Sequence, residues 1–112
     1  MDRIRAKAIA LTEYAIELHD AVLAPLGFTV GSPRDASKRG AHVSLRRRDA
    51  EELCGRLMQA GIGTDFRAPD SIRLGVSPLT TRFRDVWTAV SRLRDLGRLN
   101  FTPPVISSAF RP

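Results

Sequence analysis

From Ser71 to Val76 the apolar side chains Ile72, Leu74 and Val76 alternate with Arg73 and Gly75, and from Ala41 to Leu45 the residues Ala41, Val43 and Leu45 alternate with His42 and Ser44. A period of two puts every second side chain on one face, so each segment reads as a strand buried on one side only. Strands of this kind need helices on a single face, and three helical stripes are at hand. Ile4, Ala8, Leu11, Ala15, Leu18 and Val22 recur at steps of four and three, which predicts a long helix up to Leu23 that Pro25 and Gly27 end. Asp49, with Glu52 three residues on, predicts a capping box for a second helix that buries Leu53, Leu57 and Met58 and stops at Gly61–Ile62. Thr80 or Thr81 is the expected cap of a third, in which Phe83, Val86, Trp87, Val90 and Leu93 follow helical spacing until Gly97.

Short β-type runs at Phe28–Val30 and Thr64–Arg67 complete the order helix, strand, strand, helix, strand, strand, helix, with a turn-rich loop from Gly31 to Gly40. Connections this short favour an α+β fold, a small and mainly antiparallel sheet with three helices on one face. The other face is left open, and Arg73 points there. Residues 1–98 form the expected domain, and residues 99–112, with three prolines and no period, an extended or disordered tail.

The length of 112 residues suits one domain with one core, and 43% hydrophobic with 27% charged residues is an ordinary globular composition. There is no apolar run of the roughly 20 residues needed to span a bilayer, and no signal-type block follows the charged start Asp2–Lys7, so a soluble, cytoplasmic protein without membrane contact is expected. Cys54 is the only cysteine, which excludes an internal disulfide, and no ligand spacing for a metal is present. The net charge of +6 raises nucleic acid as a partner. Against it, the five Phe, one Trp and one Tyr fall mostly at positions that read as core, so no basic stripe is interleaved with stacking rings.

The stretch SPRDASKRGAHVSL, Ser32–Leu45, resembles the segment of kynureninases in which a proline-containing loop leads into an Arg-Gly-x-His strand. GIGTDFRAPDSIRLGVSPLTTRFRDVW, Gly61–Trp87, resembles that family's succession of Asp-x-Arg-x-Pro, Ile-Arg-x-Gly, Pro-Leu, and an aspartate with an aromatic on the last helix. The opening IRAKAIALTEYAIELHD is similar to the helix that begins the family's C-terminal small domain, so the resemblance runs from Ile4 to about Leu96. It implies the fold-type-I pyridoxal-phosphate architecture shared with class V aminotransferases, a homodimer, and hydrolytic cleavage of kynurenine or a hydroxylated relative to an anthranilate and alanine. By the same resemblance the Schiff-base lysine, the aspartate facing the pyridinium nitrogen and the phosphate loop belong to a large domain that precedes this region. Neither Lys7 nor Lys38 matches that lysine. No catalytic, cofactor-binding or metal-ligating residue is therefore assigned here. Pyridoxal phosphate is implied for the complete enzyme and not for this chain alone, which is expected to be silent without a large domain on another chain.

Arg73 is the residue that carries over. It matches the family's strand arginine, which the resemblance implies clamps the substrate α-carboxylate, a task suited to the planar, two-pronged guanidinium. Gly75 beside it would admit a ligand. His42 is read as a structural or interface histidine, Asp65 and Arg67 as a local pair shaping the loop before Pro69, and Cys54 and Met58 as core. Arg46, Arg47 and Arg48 read first as a solvated strand end, with an anion or acidic partner surface second, since cations are disfavoured at a helix start. Thr80 stands where the family typically has tyrosine, which bears on substrate choice.

Two other readings stand beside the split or truncated enzyme: a free-standing interaction module that kept the fold and lost the chemistry, and a small basic nucleic-acid binder. A domain shaped to rest on another should leave apolar surface uncovered. A homo-oligomer is therefore expected, through the open sheet face or the tail with Phe101 and Phe110.

Overall fold

The computed structural model describes residues 2–100. In chain order the elements are α1 (Asp2–Leu18), β1 (Thr29–Val30), β2 (His42–Arg46), α2 (Ala50–Gln59), β3 (Asp65–Arg67), β4 (Ser71–Gly75) and α3 (Phe83–Asn100). The strands form one antiparallel sheet in the order β1-β2-β4-β3, so the two alternating segments β2 and β4 are its central pair. Val43 and Leu45 of β2 stand opposite Leu74 and Ile72 of β4, and these four are buried with Leu11, Ala15 and Ile16 of α1, Leu53 and Leu57 of α2, and Val86, Val90 and Leu93 of α3. The fold is α+β with one sheet face covered, as the alternation predicts, and Val76 continues the inward side as a half-buried residue just past the strand.

The helix ends depart from the expectation. α1 stops its regular turns at Leu18, and His19–Leu23 form a π-turn closed by a bond from the Ala24 N–H to the His19 carbonyl. In a straight continuation the Pro25 ring would meet the Ala21 carbonyl, and widening the turn relieves that clash. Pro25 thus enters a 3₁₀ turn, Ala24–Leu26, rather than ending the helix. Gly27, with φ 88°, makes the stop.

Asp49 makes no side-chain cap on α2, and Glu52 pairs with Arg56 at 2.9 Å instead of reaching back. The reason lies in Arg47, whose Nε and one terminal nitrogen grip the two Asp49 oxygens at 2.7 and 2.8 Å. The C-terminal end is as expected. Gly61 (φ 82°) donates to the Met58 carbonyl and Ile62 to that of Leu57, the paired bonds of a glycine stop. Met58, however, is 64% exposed and is not core: Leu53, Cys54 and Leu57 take the buried side, and Met58 lies one step beyond it.

For α3 the cap is neither threonine. The Thr81 hydroxyl accepts from the Ser77 N–H within the preceding turn, and the Asp85 carboxylate reaches back to the Arg82 N–H at 2.8 Å. Phe83 and Trp87, expected inside, are 46% and 41% exposed because Val86, Val90 and Leu93 define the buried line and the rings flank it. Phe83 meets Tyr14 edge-on at 5.5 Å. Nor does Gly97 stop the helix, which continues to Asn100. A Cβ at Gly97 would lie 2.9 Å from Phe28 Cε2, so glycine is required there by the closeness of the Phe28 ring. The expected tail thus starts inside α3, and from residue 101, with Phe101 and Phe110, it lies outside the described residues.

Arg47 also corrects the reading of the arginine run. Its side chain is only 10% exposed, lies 4.4 Å from the centre of the Phe28 ring, and donates to the Leu26 carbonyl at 2.7 Å and the Gly97 carbonyl at 2.9 Å. These carbonyls belong to the last turns of two helical segments, where intrahelical partners run out. Arg46 pairs with Asp70 at 3.1 Å and Arg48 is exposed. We expect Arg47→Met to lower the unfolding free energy by about 2–4 kcal/mol, since several half-buried acceptors lose a charged donor together. Urea unfolding followed by circular dichroism measures it, and a loss below about 0.5 kcal/mol, the usual size for a surface change, would refute the assignment.

Candidate functional site

Arg73 is the middle residue of β4, between the buried Ile72 and Leu74. The pleat therefore sends its side chain to the face opposite the helices. The neighbours on that face follow from the register: Ser44 of β2 on one side and Asp65 of β3 on the other, then His42 beside Gly75, and Arg46 and Arg67 flanking Ser71. The open face is thus polar. Gly63, Thr64, Asp65, Arg73 and Gly75 line a cleft of about 270 Å³. A Cβ at Gly75 would touch nothing within 4 Å, so the floor of this cleft is bare backbone with open space above it.

Three guanidinium groups share the face, and two carboxylates serve them. Asp70 is taken by Arg46, and Asp65 lies 3.8 Å from Arg67. Arg73 is left with no hydrogen-bond or ion-pair partner for its side chain among the described residues. A half-exposed guanidinium over a glycine floor can receive a carboxylate or another flat anion through two parallel N–H bonds.

The other residues singled out from the sequence fall as follows. His42 is half-buried in β2 on the Arg73 face, two residues from Ser44 and opposite Gly75. The pair of Asp65 and Arg67 is formed, loosely and in solvent. Cys54 is buried, with its sulfur 3.1 Å from the Thr64 hydroxyl, and Thr80 is an exposed turn residue. Among the described residues there is no cluster of His, Cys, Asp and Glu able to hold a metal, and no helix long and apolar enough to cross a membrane.

Sequence reasoning missed two buried polar residues. Arg39, 4% exposed, donates to the Thr12 hydroxyl, to Glu13 at 2.7 Å and to the carbonyls of Pro33 and Arg34, which ties the 31–40 loop down on α1. Its place at the end of that loop, just before an inward strand, is the available signal. His19, also 4% exposed, donates from Nε2 to the Phe28 carbonyl at 2.7 Å, and its Nδ1 lies 2.8 Å from Asp20. Arg34 grips both Asp20 oxygens, and that bond, followed by the one to His19, holds the Asp20 carboxyl well below the usual carboxylate range. Both networks lie in α1 and the loop and hold the fold, while Arg73 stands apart from them.

The family model of the kynureninase C-terminal domain matches residues 4–93. The chain belongs to this family. As a kynureninase C-terminal domain it is 38% identical over 96 residues to the kynureninase of Geobacillus thermodenitrificans (strain NG80-2) and 33% identical over 96 residues to that of Bacillus anthracis. Each match covers 86% of this chain and 22% of the relative, so the chain spans about a fifth of the length of the curated kynureninases it matches. Among solved structures, a NifS-like protein superposes with a TM-score of 0.64 at 16% identity, over 84% of this chain and 29% of that one, which shows a shared fold.

The bare floor of the cleft allows site and stability to be separated. Gly75→Ala should leave the unfolding free energy within about 0.5 kcal/mol, because its Cβ enters open space. A loss above about 1 kcal/mol in thermal or urea unfolding would mean that Gly75 is there for the fold.

Proposed function

We propose that this chain serves as the C-terminal domain of a kynureninase-type hydrolase of the cytoplasm, in which Arg73 holds the α-carboxylate of kynurenine or a hydroxylated relative while the bond to the aryl ketone is cleaved. The observation that carries this reading is the Arg73 guanidinium, without a side-chain partner among the described residues, beside Gly75 and on the sheet face that no helix covers; the resemblance implies that it matches the family's strand arginine. The free and buried Cys54 is compatible with a reducing compartment.

In the family reaction pyridoxal phosphate supplies the electron sink for chemistry at the amino acid's α-carbon. This chain's residues do not fit that group. Lys7 belongs to α1, on the helix-covered side of the sheet, and Lys38 is an exposed residue of a 3₁₀ turn in the 31–40 loop. Neither belongs to a strand of the face that carries Arg73. In this reading the cofactor is held by the family's large domain, outside these residues, and this domain contributes substrate orientation: two charge-assisted bonds fix the carboxylate and with it the direction of the α-carbon.

Association is proposed as well, through a different surface from the one expected. The open sheet face is lined by Ser, His, Arg and Asp, whereas Ile4, Met58, Leu79, Phe83, Trp87 and Leu99 are the exposed large apolar residues among those described, and the surface proposed is the Phe83 and Trp87 side of α3. A concentration-dependent dimer that Phe83→Asp abolishes is the expected result of sedimentation velocity, and a monomer at millimolar concentration would count against it.

The reading of activity is tested by complementation. Alone, the chain should release no anthranilate from kynurenine above the protein-free rate. Joined with the large domain of a kynureninase such as the Geobacillus relative, it should restore cleavage. Arg73→Ala should then lower kcat/KM by about 10- to 100-fold, the size expected from losing a charged hydrogen-bond pair of about 1.5–3 kcal/mol, with the cofactor's absorbance unchanged. An undiminished kcat/KM in Arg73→Ala, or turnover by the chain alone, would show the reading to be wrong.

A further inference from the structure

Resting on the carboxylate reading of Arg73, we infer that Arg67 and Asp65 act as positioning residues for it: Arg67 draws the Asp65 carboxylate aside and so keeps the Arg73 guanidinium open to a ligand. Asp65 is the direct cross-strand partner of Arg73. Opposite residues of an antiparallel pair have their α-carbons only about 4.5–5.5 Å apart, and opposite charges there attract. Arg73 would by default close onto Asp65, and a guanidinium neutralised in this way is a poor receptor for a second carboxylate. That closure is absent. Asp65 is placed instead toward Arg67, two residues along β3 and on the same face, at 3.8 Å. The contact is long and exposed, 56% for the Arg67 side chain and 66% for Asp65, so it is a bias on a mobile carboxylate rather than a lock.

The rest of the face supports the same division of charge. The other nearby carboxylate, Asp70, is occupied by Arg46 at 3.1 Å, across from the Ser71 and Arg67 end of the sheet. Three arginines and two aspartates therefore leave one guanidinium over, and the positions of the carboxylates make it the one beside Gly75, where a ligand has room. Asp65 also lines the cleft with Arg73, so an anion entering the cleft meets whichever way this carboxylate leans. With Arg67 removed, Asp65 has Arg73 as its nearest cation and competes with the ligand for it.

The test uses the full chain, its arginine side chains observed by ¹⁵N–¹H spectroscopy at fixed ionic strength, in wild type, Arg67→Met, Asp65→Asn and the double variant, with acetate and L-alanine as probes. In Arg67→Met the Arg73 Nε–H signal should move toward an ion-paired position before any probe is added, and Asp65→Asn should reverse the shift. Probe binding should weaken by roughly 1.5- to 5-fold in Arg67→Met, the range that about 0.2–1 kcal/mol of an exposed pair corresponds to, and should be indifferent to Arg67 when Asp65 is already Asn. A plain long-range charge effect predicts otherwise: Arg67→Met would weaken binding equally in both backgrounds, which would overturn the inference. So would weaker binding in Asp65→Asn alone, since Asp65 would then be assisting Arg73. If the Arg73 signal ignores both probes in every variant while Arg67→Met still shifts it, the carboxylate reading fails and only the local charge arrangement stands. No shift in Arg67→Met removes the inference and leaves the carboxylate reading to the complementation test.

Discussion

One guanidinium, that of Arg47, joins parts of the chain that are fifty residues apart. It bonds the last turn of α3 through Gly97, the stop after α1 through Leu26, and Asp49 at the entrance of α2, with the Phe28 ring against its flat face. The last turn of a helix leaves carbonyls without an intrahelical partner, and a partly buried arginine with five donors in a rigid fork meets two of them at once. The same corner explains why Gly97 is glycine and why Asp49 does not cap its own helix: the Phe28 ring stands where a Cβ would go, and the Arg47 guanidinium holds the Asp49 carboxylate. With the three helices held in this way, the inner face of β2 and β4 is covered and the outer face is left free.

Within this small domain, charged residues of one type do two kinds of work. Arg39 and Arg47 are withdrawn from water and fully engaged by carboxylates and backbone carbonyls, which is the condition under which a buried cation is tolerated. Arg73 has no side-chain partner among the described residues, and on the open face a carboxylate from outside can use its donors. Membership in the kynureninase C-terminal domain family gives that spare valence a natural ligand in the proposed function. In that proposal the domain supplies binding and orientation, and the chemistry is left to a cofactor held by the family's large domain.

Much of the architecture was legible in the sequence because it follows from local rules. A period of two fixed which side of each strand is buried, through Val43 and Leu45 in β2 and Ile72 and Leu74 in β4, and hence that Arg73 points away from the helices; Ala41, expected inside with them, is exposed just before β2. Gly61 with Ile62 announced the end of α2, since a left-handed residue followed by an apolar one is a backbone requirement that few residues meet. The resemblance in Ser32–Leu45 and Gly61–Trp87 includes residues of the open face, His42, Asp65, Arg67, Arg73 and Gly75, beside others that serve the fold.

What went unread depends on residues that meet only in three dimensions. Asp49 and Glu52 have the spacing of a capping box, but a competing arginine from the strand before them takes the carboxylate. Gly97 has the look of a helix stop, yet it marks the approach of Phe28 from the other end of the chain. Arg39, Arg47 and Arg73 are alike as letters in a basic sequence. The sequence by itself determined the order and the inward faces of the elements, because these rest on the periodicity of neighbouring side chains. Only the tertiary structure decided which arginines are spent on the fold and that Arg73, on the open face, has no side-chain partner among the described residues, because a charge is neutralised by whatever the folded chain brings within about 4 Å of it, regardless of distance along the sequence.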